Sequence, residues 1–240
     1  MTANKILSGR IALVTGASRG IGEAIARAYA SAGAHVIAVA RNTAALEKLD
    51  DAIRSEGGSA TLVPLDLLDF AKIDTLGPML AEKFGRLDIF VGNAAMLGTL
   101  GPLAHTNAAE WDRVIALNLT ANFRLIRTLD PLLRSSDAGR AIFITSGAAE
   151  GERAFWGAYA ASKAALESMA RSYKAETENI SKLRVHIVDP GRTRTKMRAE
   201  AFPGEDPKTL KTPDDITDMF VDLAAPGDGH KEIRLLAQAK

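Results

Sequence analysis

The sequence predicts a doubly wound parallel α/β fold built as a single domain, and three observations carry that expectation. Short apolar runs rich in Val and Ile recur along the chain. Longer segments of helical period separate them, and no repeat, low-complexity tract or linker interrupts the alternation across the 240 residues. Runs apolar at every position suit strands covered on both faces, and strands alternating with helices make parallel βαβ units. A chain of this length buries a large core without dividing, so one domain spanning residues 1–240 is expected.

Taken in order, the predicted strands are R-I-A-L-V-T (10–15), H-V-I-A-V-A (35–40), A-T-L-V-P-L (60–65), L-D-I-F-V (87–91), A-I-F-I-T (141–145) and L-R-V-H-I-V (183–188). A helical run E-A-I-A-R-A-Y-A follows the first strand. After the sixth comes a stretch from about 192 to 211 with Pro203, Gly204 and Pro207, long for a loop in a compact domain and expected to act as a substrate lid. Thr212-Pro213-Asp214-Asp215 then supplies a capping hydroxyl, a proline suited to the first helical position and two acids against the helix dipole. A helix should start there and end near Ala225-Pro226-Gly227.

Between the first strand and its helix the sequence reads T-G-A-S-R-G-I-G, with glycines at Gly16, Gly20 and Gly22. Glycines let a backbone turn tightly and approach a pyrophosphate, while the helix start offers free N–H groups and positive potential. Dinucleotide binding is the working expectation. Where NAD enzymes place an acid after the second strand, this chain has Val39-Ala40-Arg41-Asn42. No carboxylate stands there, and Arg41 with Arg19 offers two guanidiniums suited to a 2′-phosphate, which predicts NADP(H) as cofactor.

Further along, Tyr159 and Lys163 lie four residues apart in Y-A-A-S-K, with Ser146 upstream at the end of the fifth strand. Four residues is one helical turn, so phenol and ammonium share a face. With a pKa of about 10, a tyrosine needs such a cation to exchange protons near neutrality.

These pieces together resemble the short-chain dehydrogenase/reductase family over nearly the full length. The matching motifs are T-G-A-S-R-G-I-G at 15–22, Asp66-Leu67, Asn93-Ala94, Asn118 within A-L-N-L-T, Ser146, Y-A-A-S-K, and P-G-R-T-R-T at 190–195. The resemblance implies a Rossmann-like fold and hydride transfer between nicotinamide and a carbonyl or alcohol, with Asn118, Ser146, Tyr159 and Lys163 as the catalytic tetrad. Cofactor contacts would come from Gly16, Ser18, Arg19, Gly20, Ile21 and Gly22 in the turn. Asp66 would receive the adenine amino group with help from the Leu67 backbone, although a strand-end Asp capping the next helix is the competing reading. Asn93 would also border the cofactor, and Pro190, Gly191, Thr193 and Thr195 would hold the carboxamide. The lid residues F-P-G-E-D-P look similar to a bacterial branch of the family.

Chemistry assigns the same roles. Hydride reaching a carbonyl carbon leaves an alkoxide, so a proton donor is needed at the oxygen. Tyr159 is that acid, and the base in the reverse direction. Lys163, with the nicotinamide charge, would favour phenolate and also bond the nicotinamide ribose. Ser146 would hold the carbonyl oxygen, and Asn118 would hold a water linking Lys163 to solvent. Loss of chemistry, leaving a silent NADPH-binding sensor or interaction protein, is the alternative, but such proteins typically lose the tyrosine or lysine.

This chain departs from the family at Gly92-Asn93-Ala94-Ala95, where N-N-A-G is usual. Gly92 removes the first asparagine's hydrogen bonds, and Ala95 replaces a glycine beside the cofactor. The C-terminus E-I-R-L-L-A-Q-A-K lacks the usual V-D-G-G, which favours a homodimer through the helices of Asn118 and Tyr159 over a homotetramer. In R-T-R-T-K-M-R, the cations Arg192, Arg194, Lys196 and Arg198 form either a solvated run or a site for an anionic or carrier-bound substrate. Phe155, Trp156, Met96 and Leu97 either line an apolar pocket or pack in the core.

Composition excludes other classes. Lys and Arg number 30 against 29 acids, so no field draws the protein to nucleic acid or an anionic membrane. Absence of cysteine removes disulfides and thiolate chemistry and fits a reducing compartment. His35, His105, His186 and His230 lack metal-ligand spacing, so no metal is expected. With neither an apolar leader nor a spanning stretch, a cytoplasmic location is expected.

Overall fold

A computed structural model describes residues 5–227 and 233–237. Its centre is one parallel sheet of seven strands, β1 (Ile11–Thr15), β2 (His35–Ala40), β3 (Ser59–Pro64), β4 (Ile89–Gly92), β5 (Arg140–Ile144), β6 (Arg184–Asp189) and β7 (Arg234–Leu236). Their order is β3-β2-β1-β4-β5-β6-β7. Chain direction across the sheet therefore reverses between β1 and β4, the switch point where open α/β sheets bind ligands.

Helices cover both faces, which is why the strand runs are apolar throughout. On one face Ala12, Val14, Val36 and Ala38 pack beneath α1 (Gly20–Ser31), α2 (Thr43–Ser55) and α8 (Thr217–Ala224). On the other face the alternate residues Leu13, Ile37, Phe90 and Phe143 meet α3 (Phe70–Phe84), α5 (Ala121–Arg134) and α6 (Gly157–Thr177). Burial of two layers at about 25 cal/mol per Å² of apolar surface is the main force holding the sheet between them.

Two prolines sit inside helices without breaking them. Pro78 in α3 has no N–H for the Asp74 carbonyl, and the Thr128 hydroxyl of α5 donates to that oxygen instead, at 3.1 Å. The same hydroxyl accepts from the Gly77 N–H at 3.1 Å. Contact this close requires glycine, since a Cβ at position 77 would lie 2.1 Å from the Thr128 carbonyl oxygen.

All six predicted strands are present, and β7 is an addition. The segment from 192 to 211 is not irregular: it contains α7 (Lys196–Ala201), whose N-terminus the Thr195 hydroxyl caps by accepting from the Arg198 N–H at 3.1 Å, and a 3-10 turn at Pro207–Thr209. The helix expected from Thr212 begins as a 3-10 turn, Asp214–Ile216, before α8. Thr212 and Asp215 cap it reciprocally, side chain to backbone N–H, at 3.3 and 2.6 Å. Its end at Ala225 is as expected, held by Arg140, which donates to the Leu223, Ala225 and Gly227 carbonyls.

Candidate active site

One cavity of about 520 Å³ runs along the carboxyl ends of the strands, from the turn after β1 to α7. Every predicted site residue except Gly22 and Asn118 lines it.

At one end is the glycine turn. Gly16 takes φ of +65°, and Gly22 is required by proximity, because a Cβ there would stand 2.4 Å from the Gly16 carbonyl oxygen. The Asn93 amide ties this turn to the switch point by donating to the Thr15 carbonyl at 2.7 Å and the Gly16 carbonyl at 3.3 Å. Thr15, which sequence reasoning missed, accepts from the N–H groups of Asn93 (2.9 Å) and Ala94 (3.1 Å). Arg19 stands at the N-cap of α1 and makes no side-chain cap bond, and Ser18, Gly20 and Ile21 border the cavity around it. Arg41 projects from the end of β2, largely exposed, with Nη1 3.8 Å from Asp66. Asp66 does not cap the next helix: it accepts from the Leu68 N–H at 3.0 Å, and Asp69 caps α3 through the Lys72 N–H.

At the other end α6 brings Tyr159 and Lys163, both buried, to the carboxyl end of β5. The Lys163 ammonium donates to the Ile144 carbonyl at 2.6 Å. Ser146 serves as both turn hydroxyl and site group, since its oxygen accepts from the Ala148 N–H at 3.2 Å and its side chain hydrogen-bonds Tyr159. Burial pushes the Tyr159 phenol up to about 12, against the Ser146 hydrogen bond that favours phenolate, and nearby Asp189 adds to the rise. Burial lowers Lys163 to about 8, while Asp189 and Glu167 pull it back up. Burial thus opposes the ionised form of both groups, and the Lys163 ammonium lies 5.9 Å from the centre of the Tyr159 ring.

Asn118 lies in a π-helical turn, Ala116–Thr120, that joins α4 (Ala108–Ile115) to α5. Its side chain is committed: Oδ1 accepts from the Met96 N–H, and Nδ2 donates to the Met96 carbonyl and the Ser162 hydroxyl, all within 3.0 Å. The Asn118 backbone carbonyl is a second acceptor here and accepts from Asn122 Nδ2 at 2.9 Å. Asn122 also explains the departure at Gly92. Its Oδ1 would lie 2.5 Å from a Cβ at position 92, and it occupies the space that a side chain there would need.

Near Tyr159 the walls are Leu97, Trp156, Met197, Ala201 and Phe202. Trp156 packs edge-on to Tyr159 with ring centroids 5.9 Å apart. Phe155 turns outward with φ of +74° and Met96 serves through its backbone, so neither lines the pocket. Asp189 was missed in the sequence; it is buried at the end of β6, accepting from the Gly191 N–H at 2.9 Å. Pro190, Gly191, Thr193 and Thr195 continue from it along the cavity, with Thr193 Oγ1 donating to the Pro190 carbonyl at 2.9 Å.

Other expectations concern the periphery. His35 bridges the Ser59 and Thr61 hydroxyls at 2.9 Å each, and His230 lies outside the described residues. Among the described residues no group of three or more His, Cys, Asp or Glu side chains could hold a metal, and no helix is long and apolar enough to cross a membrane.

The donor set fits a dinucleotide: a glycine turn at a helix start, two available guanidiniums at one end, and a buried lysine and tyrosine at the other. A parallel sheet with this switch-point cavity defines a Rossmann-like nucleotide-binding protein. The chain belongs to the short-chain dehydrogenase family, whose model matches residues 10–206. It is 42% identical over 219 residues to the uncharacterized oxidoreductase YciK of Escherichia coli strain K12, covering 90% of this chain and 86% of the relative. A short chain dehydrogenase of Shigella flexneri 2a strain 301, complexed with NADP, superposes with a TM-score of 0.92 at 40% identity, covering 97% of this chain and 98% of the other. Another, from Escherichia coli CFT073 and complexed with NADPH, gives 0.90 at 39% identity, covering 98% and 99%.

Proposed function

We propose that this chain is an oxidoreductase that moves hydride between NADP(H) and a carbonyl or alcohol, a 3-oxoacyl thioester or another ketone, with Tyr159 as general acid and base. The observation that carries the reading is the convergence of Ser146, Tyr159 and Lys163 in the same cavity that opens on the glycine turn. The cofactor is NADP(H), as in the complexes of similar structures. Gly16, Ser18, Gly20 and Ile21 hold its pyrophosphate, Arg19 and Arg41 its 2′-phosphate, and Asp66 and Leu67 its adenine. Asn93 borders the cofactor, and Pro190, Gly191, Thr193 and Thr195 hold its carboxamide.

When bound, the nicotinamide supplies or accepts the hydride. Ser146 holds the substrate oxygen by hydrogen bonding, and Tyr159 gives it a proton as negative charge develops there. Lys163 orients the ribose and keeps a positive charge under Tyr159. Resupply of that proton runs past Lys163 to a water at the Asn118 carbonyl. The surrounding reading is a single domain over residues 1–240 with a lid at 192–211, working in the cytoplasm as a homodimer or homotetramer on small molecules.

NADPH oxidation followed against a panel of ketones, diketones and 3-oxoacyl thioesters tests this. Turnover on at least one class is expected. Tight NADPH binding with no turnover on any class would instead support a silent cofactor-binding protein.

A further inference from the structure

Cations at the start of the lid are not free. Arg198 donates from Nε and Nη2 to the two oxygens of Glu205 at 2.5 and 2.7 Å, and Arg192 donates from Nε and Nη2 to Oε1 at 3.1 and 2.6 Å. These contacts hold the Glu205 carboxyl down to about 2, so it stays charged at any working pH. Arg198 also lies over the Phe202 ring, 3.7 Å from guanidinium carbon to centroid. Phe202 in turn packs on Trp156 at 5.6 Å, and Trp156 on Tyr159 at 5.9 Å. Lys196, which also borders the cavity, is exposed and 3.9 Å from Glu200, and Arg194 stands outside the cavity lining.

We infer that the space beside Tyr159 takes an uncharged carbonyl compound with an apolar or aromatic body, seated against the packed rings of Trp156 and Phe202, and that Glu205 favours this by occupying both the Arg192 and Arg198 guanidiniums. This rests on the oxidoreductase reading above and narrows it. A carboxylate placed among Leu97, Trp156, Met197 and Phe202 would lose its hydration and find the Arg192 and Arg198 guanidiniums already taken, the remaining cation, Lys196, being solvent-exposed at the rim. An aromatic or aliphatic body would instead cover these side chains and add ring contacts.

Methyl benzoylformate and benzoylformate, the same ketone with and without its charge masked, make a matched pair of probes. Titrated into the NADP⁺-saturated protein by calorimetry, the ester should bind at least about tenfold tighter than the acid, the margin expected from one unpaired buried charge. With NADPH the ester should be reduced with correspondingly higher kcat/KM. Phe202→Ala and Trp156→Ala should raise its KM while leaving NADPH affinity unchanged, and Glu205→Gln, which keeps the side chain's shape and removes its charge, should narrow the ester-to-acid ratio. Equal or tighter binding of the acid, binding of neither, or both truncations leaving ester affinity untouched would overturn the inference. Selective binding of the ester without NADPH oxidation would leave the pocket assignment standing and overturn the oxidoreductase reading alone.

Discussion

The two ends of the cavity spend their charges differently. At the β2 end Arg19 makes no cap bond and Arg41 reaches only a loose 3.8 Å contact with Asp66, so positive charge is available to an incoming group. At the α7 end Arg192 and Arg198 are closed on Glu205, and the rings of Trp156 and Phe202 face the space beside Tyr159. Loose surface pairs contribute little and are easily exchanged for a phosphate, whereas guanidiniums clasping one carboxylate are not. Of the guanidiniums that line the cavity, only those at the β2 end are therefore open to a phosphate. Between the two ends lie the buried Tyr159 and Lys163 and the half-buried Ser146.

The comparison can be broken most severely at that middle point. Lys163→Met should lower kcat/KM for carbonyl reduction by about 10²- to 10⁴-fold, the range for loss of support to an acid–base group, measured as NADPH oxidation at saturating cofactor. At the phosphate end, Arg41→Asp should weaken NADPH by roughly 10- to 100-fold, the value of one charge-assisted hydrogen bond, with NADH binding unchanged or improved. Equal losses for both cofactors in a titration would show that Arg41 does not read the 2′-phosphate.

The pH dependence separates charge from geometry. Lys163 has its pKa lowered to about 8 by burial, so its ammonium is lost as pH rises through 8, and kcat/KM for reduction should fall there. Asp189 raises that pKa, so Asp189→Asn should move the fall to lower pH. The same shift makes stability rise between pH 8 and the unfolded lysine value near 10.5, because the unfolded chain then binds the extra proton. Smallest of these effects is steric. Gly92→Asn should destabilise the fold by about 1–3 kcal/mol, the usual range for overpacking, in denaturant unfolding. Adding Asn122→Ala should recover much of that loss by clearing the oxygen 2.5 Å from the new Cβ.

Legibility in the sequence followed the same division. The glycine turn, the six longer strands and the Tyr159–Lys163 pair are local patterns, and their spacing alone places them on one edge of a sheet. β7 was not legible, because its three residues include Arg234, whose charge is balanced from far away by Glu150 at 2.8 Å, Glu167 at 3.1 Å and Asp189 at 3.5 Å. The π-turn around Asn118 has no local signature, and neither has the burial of Asp189. Helix α7 did have one: Thr195 as a cap, followed by the helix formers K-M-R-A-E-A. Pairing of Arg192 and Arg198 with Glu205 depends on the chain folding back between them, which spacing does not encode.

The central claim is that Tyr159 moves the proton that accompanies hydride transfer. Tyr159→Phe keeps the ring that packs against Trp156 and removes only the hydroxyl. Its NADPH dissociation constant and its single-turnover rate of NADPH oxidation with a substrate of the wild-type protein test the claim most directly. Affinity close to wild type with a rate lower by about 10²-fold or more is the predicted result. A rate within a few fold of wild type at unchanged affinity would contradict it.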